Sequence, residues 1–130
     1  MTVPDGFAPY GDAGEFIDLV GPVYARGEGE ERVFGLRIEE RHRNSAGKTH
    51  GGLLATLVDF SLGRAVAAAD SAGVTASLTT DYLKPVEIGD WVEAHTEVEK
   101  AGETLAFADC SLVVDGREVV RARAVFAVAG

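Results

Sequence analysis

The sequence predicts an α+β domain, one long apolar helix followed by an antiparallel sheet, and three observations carry that prediction. Residues 51 to 70 read as a helix dominated by Ala, Leu and Val. Four runs of period-two character follow it, "GVTASLTTDYLKP", "DWVEAHTEVEKA", "TLAFADCSLVVD" and "REVVRARAVFAVA", divided by the short segments "VEIG", "GE" and "GR". Strands joined by such short turns pair as antiparallel neighbours, and the helix then packs on one face of their sheet. A chain of 130 residues, 46% of them hydrophobic and with mean hydropathy near zero, is sized for a single domain, 1–130, with its own core.

Taken in order, residues 1–14, with Pro4, Gly6, Pro9, Gly11 and Gly14, read as an irregular N-terminal arm. "EFIDLVG" makes one or two helical turns ended by Gly21 and Pro22. "PVYARGE" and "ERVFGLRIEE", separated by "GEGE", suggest a hairpin or meander pair. In the second of these, Val33, Gly35, Arg37 and Glu39 alternate with Phe34, Leu36 and Ile38, as in a half-buried strand. The loop "RHRNSAGKT" leads into the long helix, with Thr49 as its N-cap candidate. Within "WVEAHTEVE", Val92, Ala94, Thr96 and Val98 form one face, and Trp91, Glu93, His95, Glu97 and Glu99 the other.

A net charge of −9 and a pI near 4.7 argue against a nucleic-acid surface, since phosphate neutralisation needs clustered Lys and Arg and the 12 here are scattered. Cys110 is the only cysteine, which excludes an intrachain disulfide and a thiolate metal cluster within one chain. "MTVPDGFAPYGDAGEF" has neither the basic n-region nor the apolar h-region of a leader, and no stretch reaches about 18 uninterrupted apolar residues. The expectation is a cytoplasmic protein that does not span a membrane.

The helix carries the chemistry. Leu53, Leu54, Leu57, Val58, Phe60, Leu62 and Val66 are spread around its axis, so a sheet must wrap it or a second subunit must cover what the sheet leaves bare. At about 100° per residue, Gly52, Thr56, Asp59 and Gly63 fall within roughly 40° of one another and form a narrow small-and-polar stripe. The two glycines leave room for a ligand beside Asp59, and Thr56 adds a hydroxyl one turn away. A helical Asp that points to water or to an Arg is the ordinary alternative, but a carboxylate among apolar neighbours is expensive, and such groups concentrate at functional sites. Gly51 and Gly52 stand in the first turn, where backbone N–H groups lack intrahelical partners and the dipole is positive, so a developing oxyanion can be held there. His50 and Asn44 add hydrogen-bonding groups beside it. A helix N-terminus two turns from a carboxylate thus offers an oxyanion site and a base or nucleophile.

Asn44, His50-Gly51-Gly52 and Asp59 spell N-x5-H-G-G-x6-D, which resembles the hotdog-fold acyl-CoA thioesterases of the phenylacetic-acid-degradation and thioesterase superfamily member 2 type. The likeness covers about residues 15 to 128 and includes the Y-x-x-P turn from Tyr82 to Pro85 and the "GETLAF" segment. It implies a curled antiparallel sheet of five to six strands wrapped around one long central helix, with active sites at a homodimer interface and two dimers assembling to a homotetramer. It also implies that Asp59 is the catalytic carboxylate, acting as general base or nucleophile. The Gly51 N–H would polarise the thioester carbonyl, with Asn44 and His50 holding the thioester, the water or the carboxylate. Thr75, from the other subunit, matches a family position whose hydroxyl orients water. No cofactor is expected. The CoA phosphates would need surface cations, with Lys84 as first candidate and Arg64, Arg121 and Arg123 behind it. Asp81 before Tyr82, and His42 two residues before Asn44, depart from the family's pattern.

Three rival readings accompany this one. A binding module that holds acyl-CoA without turnover is the rival from another class, and the complete N-x5-H-G-G-x6-D set speaks against it. A hotdog hydratase uses a different Asp and His arrangement, which is absent from the sequence. A metal site of His42, His50 and Asp59 is possible on residue types, although its spacing is unlike H-E-x-x-H.

Overall fold

The computed structural model describes residues 2–128. In chain order it contains β1 (Ala8–Pro9), α1 (Glu15–Val20), β2 (Tyr24–Arg26), β3 (Val33–Arg37), α2 (Gly51–Ala68), β4 (Gly73–Tyr82), β5 (Trp91–Ala101), β6 (Leu105–Val114) and β7 (Arg117–Val128). The strands form one antiparallel sheet in the order β1-β2-β3-β5-β6-β7-β4. It curls around α2, which packs against β4, β5, β6 and β7.

The helix forms where the apolar run predicted it, two residues shorter at its C-terminal end. Leu53, Leu54, Leu57, Val58, Leu62 and Val66 are buried against inward residues of the sheet, among them Val92, Ala94, Ala106, Ala108, Leu112, Val120 and Phe126. Small residues at 94, 106 and 108 let the strands curve closely around the helix, and non-directional burial of this apolar surface is the main stabilising term. By length and composition alone α2 is apolar enough to cross a membrane, but its leucines and valines lie in the core. The β5 alternation matches its prediction: Val92 and Ala94 are buried, Thr96 and Val98 partly so, while His95 and Glu97 are exposed.

Three local expectations are corrected. The arm is not wholly irregular: Ala8–Pro9 pairs with Ala25 and Tyr24, so the sheet has seven strands rather than five to six. Tyr10 also packs edge-on against Phe34, with ring centroids 5.0 Å apart. In consequence β3 is buried on both faces rather than half-buried. The Trp91 ring lies across Gly35, where a Cβ would come within 2.2 Å of it, and Phe7 from the arm packs on the other side of that ring. Finally, Thr49 does not cap α2. Its hydroxyl donates to the Val86 carbonyl at 2.6 Å, and His50 is the N-cap, its ring nitrogen accepting from Gly52 N–H at 2.8 Å.

Among the described residues β4 ends the sheet and has a neighbour only on its β7 side. It is ten residues long, most of them exposed, and carries Val74 at 75% exposure. An unpaired edge of that length presents a row of backbone donors and acceptors to a second chain.

Candidate active site

Asp59 is half-buried on the side of α2 that meets the edge strand β4. Thr75, on β4 of the same chain, donates its hydroxyl to Asp59 Oδ1 at 2.5 Å. β4 runs directly after α2 and returns along it, which brings Thr75 and Asp59 together within one chain. With Oδ1 occupied by a neutral donor, Oδ2 remains free to accept a proton or to attack.

At the N-terminal end of α2, His50 folds back over Gly52. A Cβ at position 52 would lie 2.9 Å from His50 Nδ1, so this glycine makes room for the histidine ring. Because Nδ1 accepts from Gly52 N–H, the neutral ring carries its proton on Nε2 and presents a donor on its exposed side. Asn44 organises the loop before the helix: Oδ1 accepts from Ala46 N–H at 2.9 Å and Lys48 N–H at 3.1 Å, leaving its NH2 as the free donor. This loop is closed by the Arg43–Thr49 bridge and by His50 N–H donating to the His42 carbonyl.

The remaining residues of the stripe differ in what they touch. The Thr56 hydroxyl donates to the Gly52 carbonyl at 2.8 Å, one turn back on its own helix, and so is engaged with backbone. Gly63 stands open, with Phe126 3.9 Å from where a Cβ would sit. The distance between the two ends also changes the chemistry. Gly51 and Asp59 are eight residues apart, which at about 1.5 Å per residue separates them by about 12 Å along the axis. A separation of that size suits a site in which the two ends belong to different subunits.

Among the predicted cations, Lys84 lies near the Gly51 end. It lines a cavity of about 260 Å³ with Lys48, Gly51, Leu54, Tyr82 and Val86. Arg64 is turned to the arm, where it donates to the Asp12 carbonyl and stacks over Tyr10 and Phe60. Arg121 and Arg123 lie on the outer face of the sheet, paired with Glu118 and Asp109, and Asp81 lies opposite Arg121. They border a separate groove of about 580 Å³. On that face the Ser111 hydroxyl and the Arg121 guanidinium hold the Glu118 carboxyl below the usual range, while Asp109 beside Glu99 raises the Glu99 carboxyl. Neither group faces Asp59.

His42 does not join His50 and Asp59 in a metal site. Its ring is buried, with Nδ1 accepting from Glu39 N–H and Nε2 bonded to the Val20 carbonyl at 2.6 Å. Two residues escaped the sequence reading. Lys48 stands two residues before His50, close enough in sequence to have been named. Tyr82 donates its hydroxyl to the Gly51 carbonyl at 2.7 Å. Only its place in the Y-x-x-P turn marked it, and nothing in the spacing tied that turn to the helix N-terminus.

Residues 46–121, which hold the whole of α2, match the family described as the thioesterase superfamily. A Pseudomonas aeruginosa protein that carries the provisional name of an esterase, PA0474, is 41% identical over 97% of this chain and 97% of its own length. Mouse acyl-coenzyme A thioesterase 13 is 35% identical over 64% of this chain and 61% of its own. The crystal structure of mouse thioesterase superfamily member 2 superposes with a TM-score of 0.79 at 30% identity, covering 86% of each chain. A hypothetical thioesterase from Streptococcus pneumoniae, solved with coenzyme A, superposes with a TM-score of 0.77 at 27% identity, covering 83% of this chain and 89% of its own. The family match, the identity along nearly the full chain and the helix-in-sheet architecture agree that this chain belongs to the thioesterase superfamily and is a thioester hydrolase of the hotdog fold.

Proposed function

We propose that the protein is a cytoplasmic acyl-CoA thioesterase that hydrolyses medium-chain or aromatic acyl-CoA to the free acid and CoA, with Asp59 as general base or nucleophile. The observation that carries this reading is Asp59 itself, a half-buried carboxylate on an otherwise apolar helix, held by Thr75 of the edge strand. The names of its relatives supply the substrate class: acyl-coenzyme A thioesterase 13 in the mouse, and coenzyme A bound in the S. pneumoniae structure.

In this reading each site is shared by two subunits, in keeping with the separation of about 12 Å along α2. Asp59 of one chain acts on a carbonyl held by the Gly51 N–H of its partner, and pairing of exposed β4 edges brings the two helices side by side; two such dimers make a homotetramer. In the base reading, Asp59 Oδ2 takes a proton from water as the water oxygen attacks the thioester carbon. The carbonyl electrons move to an oxygen held by the Gly51 N–H, with the Asn44 NH2 and His50 Nε2–H as further donors. As the tetrahedral intermediate collapses, the C–S bond breaks and CoA leaves as thiolate, to be protonated from solvent or from Asp59. In the nucleophile reading, Oδ2 attacks the carbon directly, the C–S bond breaks to release CoA as thiolate that solvent protonates, and water then hydrolyses the resulting mixed anhydride. Gly52, Thr56 and Gly63 border the path of the acyl group, and Lys84 meets a CoA phosphate as an exposed ammonium.

The test is free-thiol release from a panel of aliphatic and aryl acyl-CoAs, with wild type and Asp59→Asn compared. Turnover of at least one ester by wild type, lost by about 10²-fold or more in Asp59→Asn at unchanged oligomeric state, is the expected result. Binding of the same esters without thiol release moves the protein to the binding-module reading.

A further inference from the structure

We propose that Tyr82 is a positioning residue of the thioester site, acting through its hydroxyl on the Gly51–Gly52 peptide and through that peptide on His50. The proposal rests on the thioesterase reading above and names a residue that reading does not use. Tyr82 is the last residue of β4, and its Oη donates to the Gly51 carbonyl at 2.7 Å. The N–H of the same peptide, on Gly52, donates to His50 Nδ1 at 2.8 Å. A single chain of hydrogen bonds therefore runs from the Tyr82 O–H through one peptide unit to the imidazole, and each bond polarises the next.

Burial does not force this bond. Tyr82 is 52% exposed, so water could satisfy its hydroxyl, and a carbonyl in the first turn of a helix already has an intrahelical donor four residues on. The bond instead supplies rigidity where the sequence removes it. Gly51 and Gly52 have no Cβ to restrict the first turn, and glycine is the residue with most backbone freedom to lose. The Tyr82 ring covers that turn at ordinary van der Waals distance, 3.4 Å from where a Cβ on Gly51 would sit. Clamping the Gly51–Gly52 peptide from both ends fixes the adjoining His50–Gly51 peptide, whose N–H is the oxyanion donor, and holds His50 with its Nε2–H outward. A donor aimed before the reaction begins needs no reorganisation in the transition state, so its loss falls on kcat rather than on substrate binding.

The test is Tyr82→Phe, which keeps the ring and removes only the hydroxyl, assayed on the best ester of the panel beside wild type and Asp59→Asn. Melting temperature and the Gly52 amide resonance in a 1H–15N spectrum are followed in parallel. The expected result is a fall in kcat of about tenfold with KM within about twofold, an unchanged melting temperature, and a displaced Gly52 amide. Wild-type kcat in Tyr82→Phe overturns the proposal, and so does a raised KM at constant kcat, which would make Tyr82 a substrate contact. If wild type hydrolyses none of the esters, the thioesterase reading fails separately; a Gly52 amide unmoved by Tyr82→Phe then overturns the clamp as well.

Discussion

Thr75 and Asp59, 16 residues apart in sequence, meet through a hydrogen bond of 2.5 Å in which the threonine hydroxyl donates to Asp59 Oδ1. The bond fixes which carboxylate oxygen remains available, and it joins the edge strand to the middle of the helix. Thr75→Val keeps the shape and removes the donor. A hydrogen bond to a charged group contributes about 1.5–3 kcal/mol, so kcat is expected to fall by about 10- to 100-fold. Thr75→Ser should stay within about threefold of wild type. Steady-state kinetics of the pair check this, and equal activity of Thr75→Val and wild type would remove Thr75 from the site.

Gly52→Ala separates the stability of the helix from its function. The added methyl would meet His50 Nδ1 at 2.9 Å, so the ring must leave its capping position. Loss of a cap destabilises by about 1 kcal/mol, while replacing Gly by Ala inside a helix returns up to about 1 kcal/mol. The melting temperature should therefore change little while kcat drops by about tenfold or more, read from thermal unfolding and thiol release on the same sample. Activity retained alongside an unchanged melting temperature would mean that the orientation of His50 is irrelevant to turnover.

The parts of this architecture that follow from local periodicity were legible in the sequence. The apolar run of α2 and the alternation of β5 depend only on which residues face the core, and both appear in the structure where the pattern places them. What depends on long-range meetings was not legible. Docking of the arm rests on Phe7 finding Trp91, and the cap of α2 passes from Thr49 to His50 because Val86, 37 residues on, captures the threonine hydroxyl. For the site, Asp59, His50 and Gly51 could be named from type and spacing, whereas the hydroxyl of Thr56 proved to be bonded to its own helix. The bond from Tyr82 to Gly51 depends on where a strand end lands on a helix, which no local pattern encodes.

Exposure of β4 gives the shared-site reading a direct test. Val74 is 75% exposed on the unpaired edge, and a charge on an edge strand opposes pairing with another chain. Val74→Lys is expected to shift the protein toward monomer in light scattering and to lower activity in proportion. A Val74→Lys monomer with full activity would show that one chain suffices, against the 12 Å separation estimated from helix rise.

Ser61 is 1% exposed on the buried side of α2, and its hydroxyl is the one buried side-chain polar atom among the described residues that has no hydrogen-bond partner. An unsatisfied buried group destabilises by about 1–3 kcal/mol, and Ala also has the higher helix propensity. Ser61→Ala is therefore expected to raise stability by about 1 kcal/mol, a few degrees in melting temperature for a chain of this size, at unchanged activity. A melting temperature lowered by the substitution would mean that the hydroxyl has a partner, such as an internal water.

Cys110 sits in β6 with its side chain buried, and that burial pushes its thiol up to about 12 from the ordinary value of 9.0. In the folded protein the thiol stays protonated through the range in which an unfolded chain would ionise. Above pH 9 the unfolded state thus binds fewer protons than the folded one, and stability falls as pH rises toward 12, with a slope approaching about 1.4 kcal/mol per pH unit. Below that window the thiol contributes no pH dependence. Denaturant titrations of wild type and Cys110→Ala between pH 8 and pH 11 isolate the effect, because other titrating groups are common to both chains. The difference between the two should shrink or reverse as pH rises, and a disulfide reagent at pH 8 should label the native protein only at the rate of unfolding. Rapid stoichiometric labelling of native protein would place the thiol at the surface and remove the alkaline prediction with it.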